Sequence, residues 1–172
     1  MDYQEIMREY ANLRARCAGK SVDELLAISN GNEIEFIQAI EMAIQQKSER
    51  VGEHGLSEEE RIVLAVEALE REVNNGGYSQ FFTNSSGEYA PIIVDSLSRI
   101  GCNETARITK KAIDILGIQE LSPEALESIF VSENDVRDDE LDECDQLYYG
   151  TSENILGKLI DFIKANKNVI QP

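Results

Sequence analysis

Apolar residues recur at helical spacing along nearly the whole chain, interrupted by short polar stretches rich in Gly and Asn. Ser21 predicts an N-cap for a short helix through Ile28, and Asn30, Gly31 and Asn32 break it. A longer helix follows from Glu33 to about Arg50, with Phe36, Ile37, Ile40, Ala43 and Ile44 on one face. Gly52 and Gly55 mark a loop. Ser57 with Glu60 three residues on reads as a capping box, opening a helix whose stripe is Ile62, Val66, Leu69 and Val73 and whose end is Asn74 to Gly77. Tyr78 to Thr83 reads as a tight turn or short helix. Further helices are predicted from Gly87 to Ile100, stopped by Gly101, and from Asn103 to Leu116, stopped by Gly117. Ser122 and Pro123 then open Glu124 to Val131, an acidic piece spans Asp138 to Tyr148, and Ser152 opens a last helix to about Asn166. No run alternates with period 2, so the pattern predicts an all-α protein, a single compact domain of about eight helices over residues 1–172. The least firm join lies near residue 56.

One segment stands out because the order of its residues is specified, not only its composition: Val73 to Gly87, centred on Asn75, Gly76, Gly77, Tyr78, Gln80, Phe81, Phe82 and Asn84. Asn and Gly tolerate φ > 0 where a helix must stop, and the aromatics then turn back into the core. The segment reads as a C-cap first, with Asn75, Gln80 and Asn84 satisfying free backbone groups at helix ends. An acid, two residues, then Asn75-Gly76-Gly77, an aromatic Tyr78, Gln80, Phe81-Phe82, Asn84, Ser85 and Gly87 resembles the signature of a bacterial family of small acidic helical proteins. That family, labelled a domain of unknown function, includes a DNA-mimic protein that acts on a transcription regulator. Looser matches, Ala90 to Gly101 and Leu141 to Tyr149, extend the likeness over roughly residues 57–165; residues 1–56 carry no matched motif. The resemblance implies a helical fold and a DNA-binding protein as partner, but a fold family does not by itself fix an activity.

Charge sharpens this picture. The chain holds 33 acidic and 16 basic residues, a net of −17. By region, residues 1–56 carry 10 acids and 6 bases, 57–120 carry 11 and 6, and 121–172 carry 12 and 4, so the excess grows toward the C-terminus. Such a surface repels nucleic acid and anionic membrane and attracts basic partners. Cys17, Cys102 and Cys144 are odd in number and widely spaced, which fits core thiols in a reducing cytoplasm better than disulfides or a zinc site. Met1 to Tyr10 has the composition of neither a signal peptide nor an anchor.

The acids fall in rows. At 100° per residue, Glu59, Glu60, Glu67 and Glu70 share an arc of about 100° beside the apolar stripe. Asp138, Asp139, Asp142 and Asp145 share an arc of about 120° opposite Leu141, Cys144 and Tyr148, flanked by Glu140 and Glu143. Like charges at i, i+3 and i+4 cost a helix about 0.2–0.5 kcal/mol per pair, and a helix with only a structural role gains nothing from them. Standing in for phosphates, these eight carboxylates are the candidate partner-binding residues.

Catalytic chemistry finds little footing. His54, the sole histidine, lies in a predicted loop between Glu53 and Gly55. Gly76 and Gly77 follow a helix, the wrong polarity for a phosphate cradle, and no window meets the spacing of a calcium loop. The reading is a non-enzymatic, cofactor-free and metal-free acidic binding protein of the cytoplasm. It would occupy the basic DNA-contacting surface of a transcription regulator or nucleoid protein, with homodimerisation open. Two alternatives stand beside it: an immunity or antitoxin protein that neutralises a basic nuclease toxin, and a small-ligand protein built on the Asn75 to Asn84 turn.

Overall fold

The computed structural model describes residues 2–172 and is all-α, with nine α-helices and no strand among those residues. Met1, part of the segment read above as neither signal nor anchor, lies outside the described residues. No described helix is long and apolar enough to cross a membrane.

The chain divides into two compact units, Met1–Leu64 with Leu159–Pro172, and Ala65–Lys158. The division therefore falls inside a helix and not in the Gly52 to Gly55 loop near residue 56. The first unit holds α1 (Tyr3–Cys17), α2 (Val22–Ile28) and α3 (Glu33–Val51), with a 3-10 turn at Glu53–Gly55 carrying the exposed His54. Helix α3 packs against both α1 and α2 and buries Phe36, Ile37, Ile40, Ala43 and Ile44, the face foreseen from its spacing. Helix α1 was not foreseen from apolar spacing. It is nucleated by a capping box in which Asp2 accepts from the Glu5 N–H and Glu5 accepts from the Asp2 N–H, and tied to α3 by a bidentate Arg14–Glu49 pair at 2.9 and 2.6 Å.

Helix α4 (Glu58–Thr83) and helix α9 (Ile155–Ala165) contribute residues to both units. Ser57 opens α4 as predicted: its hydroxyl accepts from the Glu60 N–H at 3.1 Å, and Glu60 accepts from the Ser57 N–H at 2.8 Å. The break expected at Asn74 to Gly77 is confined to two residues, Gly76 at φ −161° and Gly77 at φ +75°; helix resumes from Tyr78 to Thr83. Helix α9 is capped by Asn154, which accepts from the Gly157 N–H at 3.0 Å, so it starts later than Ser152 suggested.

The second unit also contains a 3-10 turn (Ser85–Tyr89), α5 (Ile93–Arg99), α6 (Asn103–Ile115), α7 (Pro123–Phe130) and α8 (Asp135–Gly150). The single helix expected from Gly87 to Ile100 is instead the 3-10 turn followed by a shorter α5. Gly87 is pressed against the Phe82 carbonyl, where a Cβ would lie 2.7 Å away, and Pro91 has no N–H to extend a ladder. Helix α6 packs against both α5 and α8. Tyr78, Phe81, Phe82, Leu97, Ile108, Leu126, Leu141 and Cys144 form the core of this unit. Tyr78 stacks near Phe82 and meets the edge of Tyr148 at 6.0 Å, while its hydroxyl hydrogen-bonds Thr109 at 2.8 Å. All three cysteines are buried free thiols.

Candidate functional site

Helix α8 begins one turn earlier than its acidic run suggested, at Asp135, because the Asn134 side chain caps the Arg137 N–H at 3.1 Å. Its buried face is Arg137, Leu141, Cys144 and Tyr148. Arg137 is held there by donating to the Ile129 carbonyl at 2.6 Å and to Asp138 at 2.8 Å, with its guanidinium 4.5 Å from the Phe130 ring centroid. Opposite that face, Asp135, Asp139 and Asp142 share an arc of about 60°. All three are exposed, and none makes an ion pair or hydrogen bond among the described residues.

The predicted acidic residues therefore do not form the two rows drawn from sequence. On α8, Asp139 and Asp142 face solvent, but Asp138 pairs with Arg137 at 2.7 Å and Asp145 turns inward. Its carboxylate accepts the Tyr78 N–H at 2.8 Å, and burial raises its pKa, against that donated bond and with a further push from Asp142. On α4, Glu60 is fully buried: Lys47 donates to both its oxygens at 2.8 and 2.9 Å, and the Gln171 N–H donates at 2.9 Å. It is closed to a partner, as its place in a capping box already hinted. Glu59 and Glu67 are half-buried and engaged by neighbours. Glu70 accepts from the Tyr148 hydroxyl, and burial pushes its carboxyl up to about 7. The residue that sequence reasoning passed over is Asp135, which joins the outward stripe once the helix start is set by Asn134.

Helix α6 balances one flank of α8. Lys111 lies 3.4 Å from Glu143, and Arg107, Lys110 and Lys111 line a shallow hollow with Glu140. Among the described residues, none of these cations forms an ion pair with Asp135, Asp139 or Asp142.

The signature turn has a structural role. Glu72, the acid three residues before Asn75, is buried and accepts from Gln80 Nε2 at 2.8 Å, Asn84 Nδ2 at 2.7 Å and Arg71 Nε at 3.3 Å. Burial alone would raise its pKa; these three donors outweigh burial and lower it. Gln80 and Asn84 thus serve a carboxylate and not the free backbone groups expected of them, while Asn75 is exposed. Gly76 and Gly77 leave no room for a side chain: a Cβ would run into Gln80 at the first and into the Asp145 carboxylate at the second. A cavity of about 280 Å³ touches only Phe82, Thr83 and Asn84 of this turn, together with Glu88 and Glu127. The amide of Asn84 is already committed to Glu72, which leaves the small-ligand alternative without its expected lining.

A second remote carboxylate caps α6, whose own Cys102 offers no side-chain cap. Glu153 accepts from the Thr105 N–H and hydroxyl, both at 2.8 Å. Burial opposes its ionisation, yet Thr105 and Lys158 hold its pKa at about 2.

No curated protein and no solved structure matches this chain. The profile of one protein family does, over residues 54–166, a span that takes in the Glu72 network, the Gly76-Gly77 kink and the whole of α8. With that match covering most of the sequence, the chain belongs to the DMP19-like protein family, a family of DNA mimics.

Proposed function

We propose that this protein is a DNA mimic that works without chemistry. The exposed carboxylates of α8 occupy the basic DNA-contacting surface of a DNA-binding protein and keep it off DNA. The observation that carries this reading is the uncompensated stripe of Asp135, Asp139 and Asp142 on a helix fixed at its back by Arg137, Leu141, Cys144 and Tyr148. At 1.5 Å rise per residue the three anions span about 10 Å of axis, and one DNA strand carries a phosphate per about 3.4 Å, so the charge density is of the same order. Preorganisation matters as much as charge: a flexible acidic tail would lose entropy on docking that a packed helix has already lost during folding. The signature turn supports the reading indirectly, because the Asp145–Tyr78 bond ties α8 to the kink of α4.

Paired baits test it, the native protein and a D135N/D139N/D142N variant, each exposed to cell extract and eluted with salt. A basic DNA-binding protein should be retained by the native bait alone and released by duplex DNA. Equal retention by the variant, or a ternary complex with DNA, would overturn the reading. Recovery of a basic nuclease with the same charge dependence would turn it toward an immunity or antitoxin role.

A further inference from the structure

The outward stripe of α8 does not end at Asp142. At 100° per residue, Gln146 and Tyr149 fall in the same sector, and Tyr149 lines a cavity of about 300 Å³ beside the C-terminal end of the helix. Glu70, Asn74, Tyr148, Tyr149, Glu153 and Asn154 contribute to its walls. Glu70, Asn74 and Glu153 bring acceptors to that lining, beside the Asn154 amide, whose oxygen already accepts from the Gly157 N–H. Glu70 uses Oε1 to accept from Tyr148, while its Oε2 carries no hydrogen bond among the described residues. Asn74 spends its amide N–H on the Glu70 carbonyl at 2.7 Å, which leaves its own oxygen as an acceptor. Tyr149 is 51% exposed, yet its ring is held in place by a 2.6 Å hydrogen bond from its hydroxyl to the Val73 carbonyl and by an edge contact with Tyr148. Lys158, which pairs with Glu153 of the lining, also donates to the Gly101 carbonyl.

A partly desolvated carboxylate oxygen, a free amide oxygen and a fixed aromatic face are the complement of a planar, donor-only cation. We propose that this cavity receives an arginine side chain of the protein partner: the guanidinium donates to Glu70 and Asn74 and lies against the Tyr149 ring. This rests on the DNA-mimic reading, because proteins that grip phosphates and base edges present arginines for that purpose. Arginine fits better than lysine here, since its flat, weakly hydrated head stacks on a ring and bonds a carboxylate through two N–H groups at once. The cavity would then supply a directional anchor at one end of the α8 stripe, while the stripe itself supplies long-range attraction.

The test does not need the partner. The full chain, isotope-labelled, is titrated with three capped tripeptides, Gly-Arg-Gly, Gly-Lys-Gly and Gly-citrulline-Gly, and amide shifts are followed by NMR. The expected result is saturable shifts at Glu70, Asn74, Tyr149 and Asn154 with the arginine peptide, weaker ones with lysine and none with citrulline. Above pH 7, where the Glu70 carboxyl is ionised, Glu70→Gln should weaken the arginine peptide by about tenfold or more, because a charge-assisted bond is lost. Tyr149→Leu should also weaken it, and D139N/D142N should leave the saturable shifts in place. Equal response to citrulline, shifts confined to α8 acids, or an unchanged affinity in both Glu70→Gln and Tyr149→Leu would overturn the assignment. Those results would leave the paired-bait experiment on the α8 stripe untouched, so the two readings fail separately.

Discussion

The Asp145 carboxylate accepts the backbone N–H of Tyr78 at 2.8 Å, joining the acidic helix to the glycine kink across 67 residues of sequence. Gly77 at φ +75° is what allows this approach, both through its backbone conformation and through the absence of a Cβ in front of the carboxylate. Asp145→Ala should cost about 1–3 kcal/mol by leaving the Tyr78 N–H unpaired, with Asp145→Asn milder because an acceptor remains. Gly77→Ala should cost a similar amount from backbone strain alone, plus the displacement of Asp145. The double variant should lose less than the sum, since the obstruction disappears with the carboxylate. Urea denaturation of these variants beside the native protein measures this.

Glu72 gathers Gln80, Asn84 and Arg71 onto one buried carboxylate, so Glu72→Ala should destabilise by about 1–3 kcal/mol or more. Its lowered pKa also sets a sign with pH. The ionised form is favoured in the folded state, so its contribution is complete above the unfolded value near 4.5 and is lost as pH falls below it. The stability gap between native protein and Glu72→Ala should therefore shrink on acidification, which denaturation at pH 7 and pH 3 will reveal.

Glu70 has the opposite sign. Burial lifts its carboxyl from 4.5 to about 7, so between those values the folded state holds a proton that the unfolded chain has released. Its contribution is complete below pH 4.5 and lost as pH rises through 7, a penalty on the order of 3 kcal/mol in alkaline solution. The Tyr148 hydroxyl donates to this carboxyl, Asn74 and Glu153 line the same cavity, and Tyr78 and Cys102 feel its charge. Glu70→Gln should match the native protein near pH 4 and exceed it in stability at pH 8. Equal stability of the two at pH 8 would contradict the burial account.

Neutralising the outward stripe should not harm the fold. Asp139 and Asp142 are like charges three residues apart on one helix, and such pairs cost about 0.2–0.5 kcal/mol. D139N/D142N should thus melt at the native temperature or slightly above it while losing partner affinity. A marked fall in melting temperature would mean that these carboxylates serve the fold.

Local chemistry carried most of the fold into the sequence. Ser21 with Glu24 and Ser57 with Glu60 are capping boxes, and Asn30 with Gly31 adopts positive φ where the break was expected. The helix phase of the α8 core, Leu141, Cys144 and Tyr148, was equally legible. Other features were set by partners distant in sequence. Glu60 is consumed by Lys47 and Gln171, Glu153 reaches back to cap α6 at Thr105, and Asp145 turns to Tyr78. No spacing rule along one helix reports such bonds. The α4 row fails for that reason, and the α8 row loses Asp138 to Arg137 and Asp145 to Tyr78 and gains Asp135, because Asn134 sets the helix start.

The most direct measurement is the affinity of the captured DNA-binding protein for native and D135N/D139N/D142N protein over a range of salt concentrations, with duplex DNA as competitor. Native binding should weaken steeply with salt, DNA and this protein should exclude each other, and the variant should bind weakly with a flatter salt response. An unchanged affinity and salt slope in the variant, or simultaneous binding of DNA and this protein to the partner, would contradict the DNA-mimic reading.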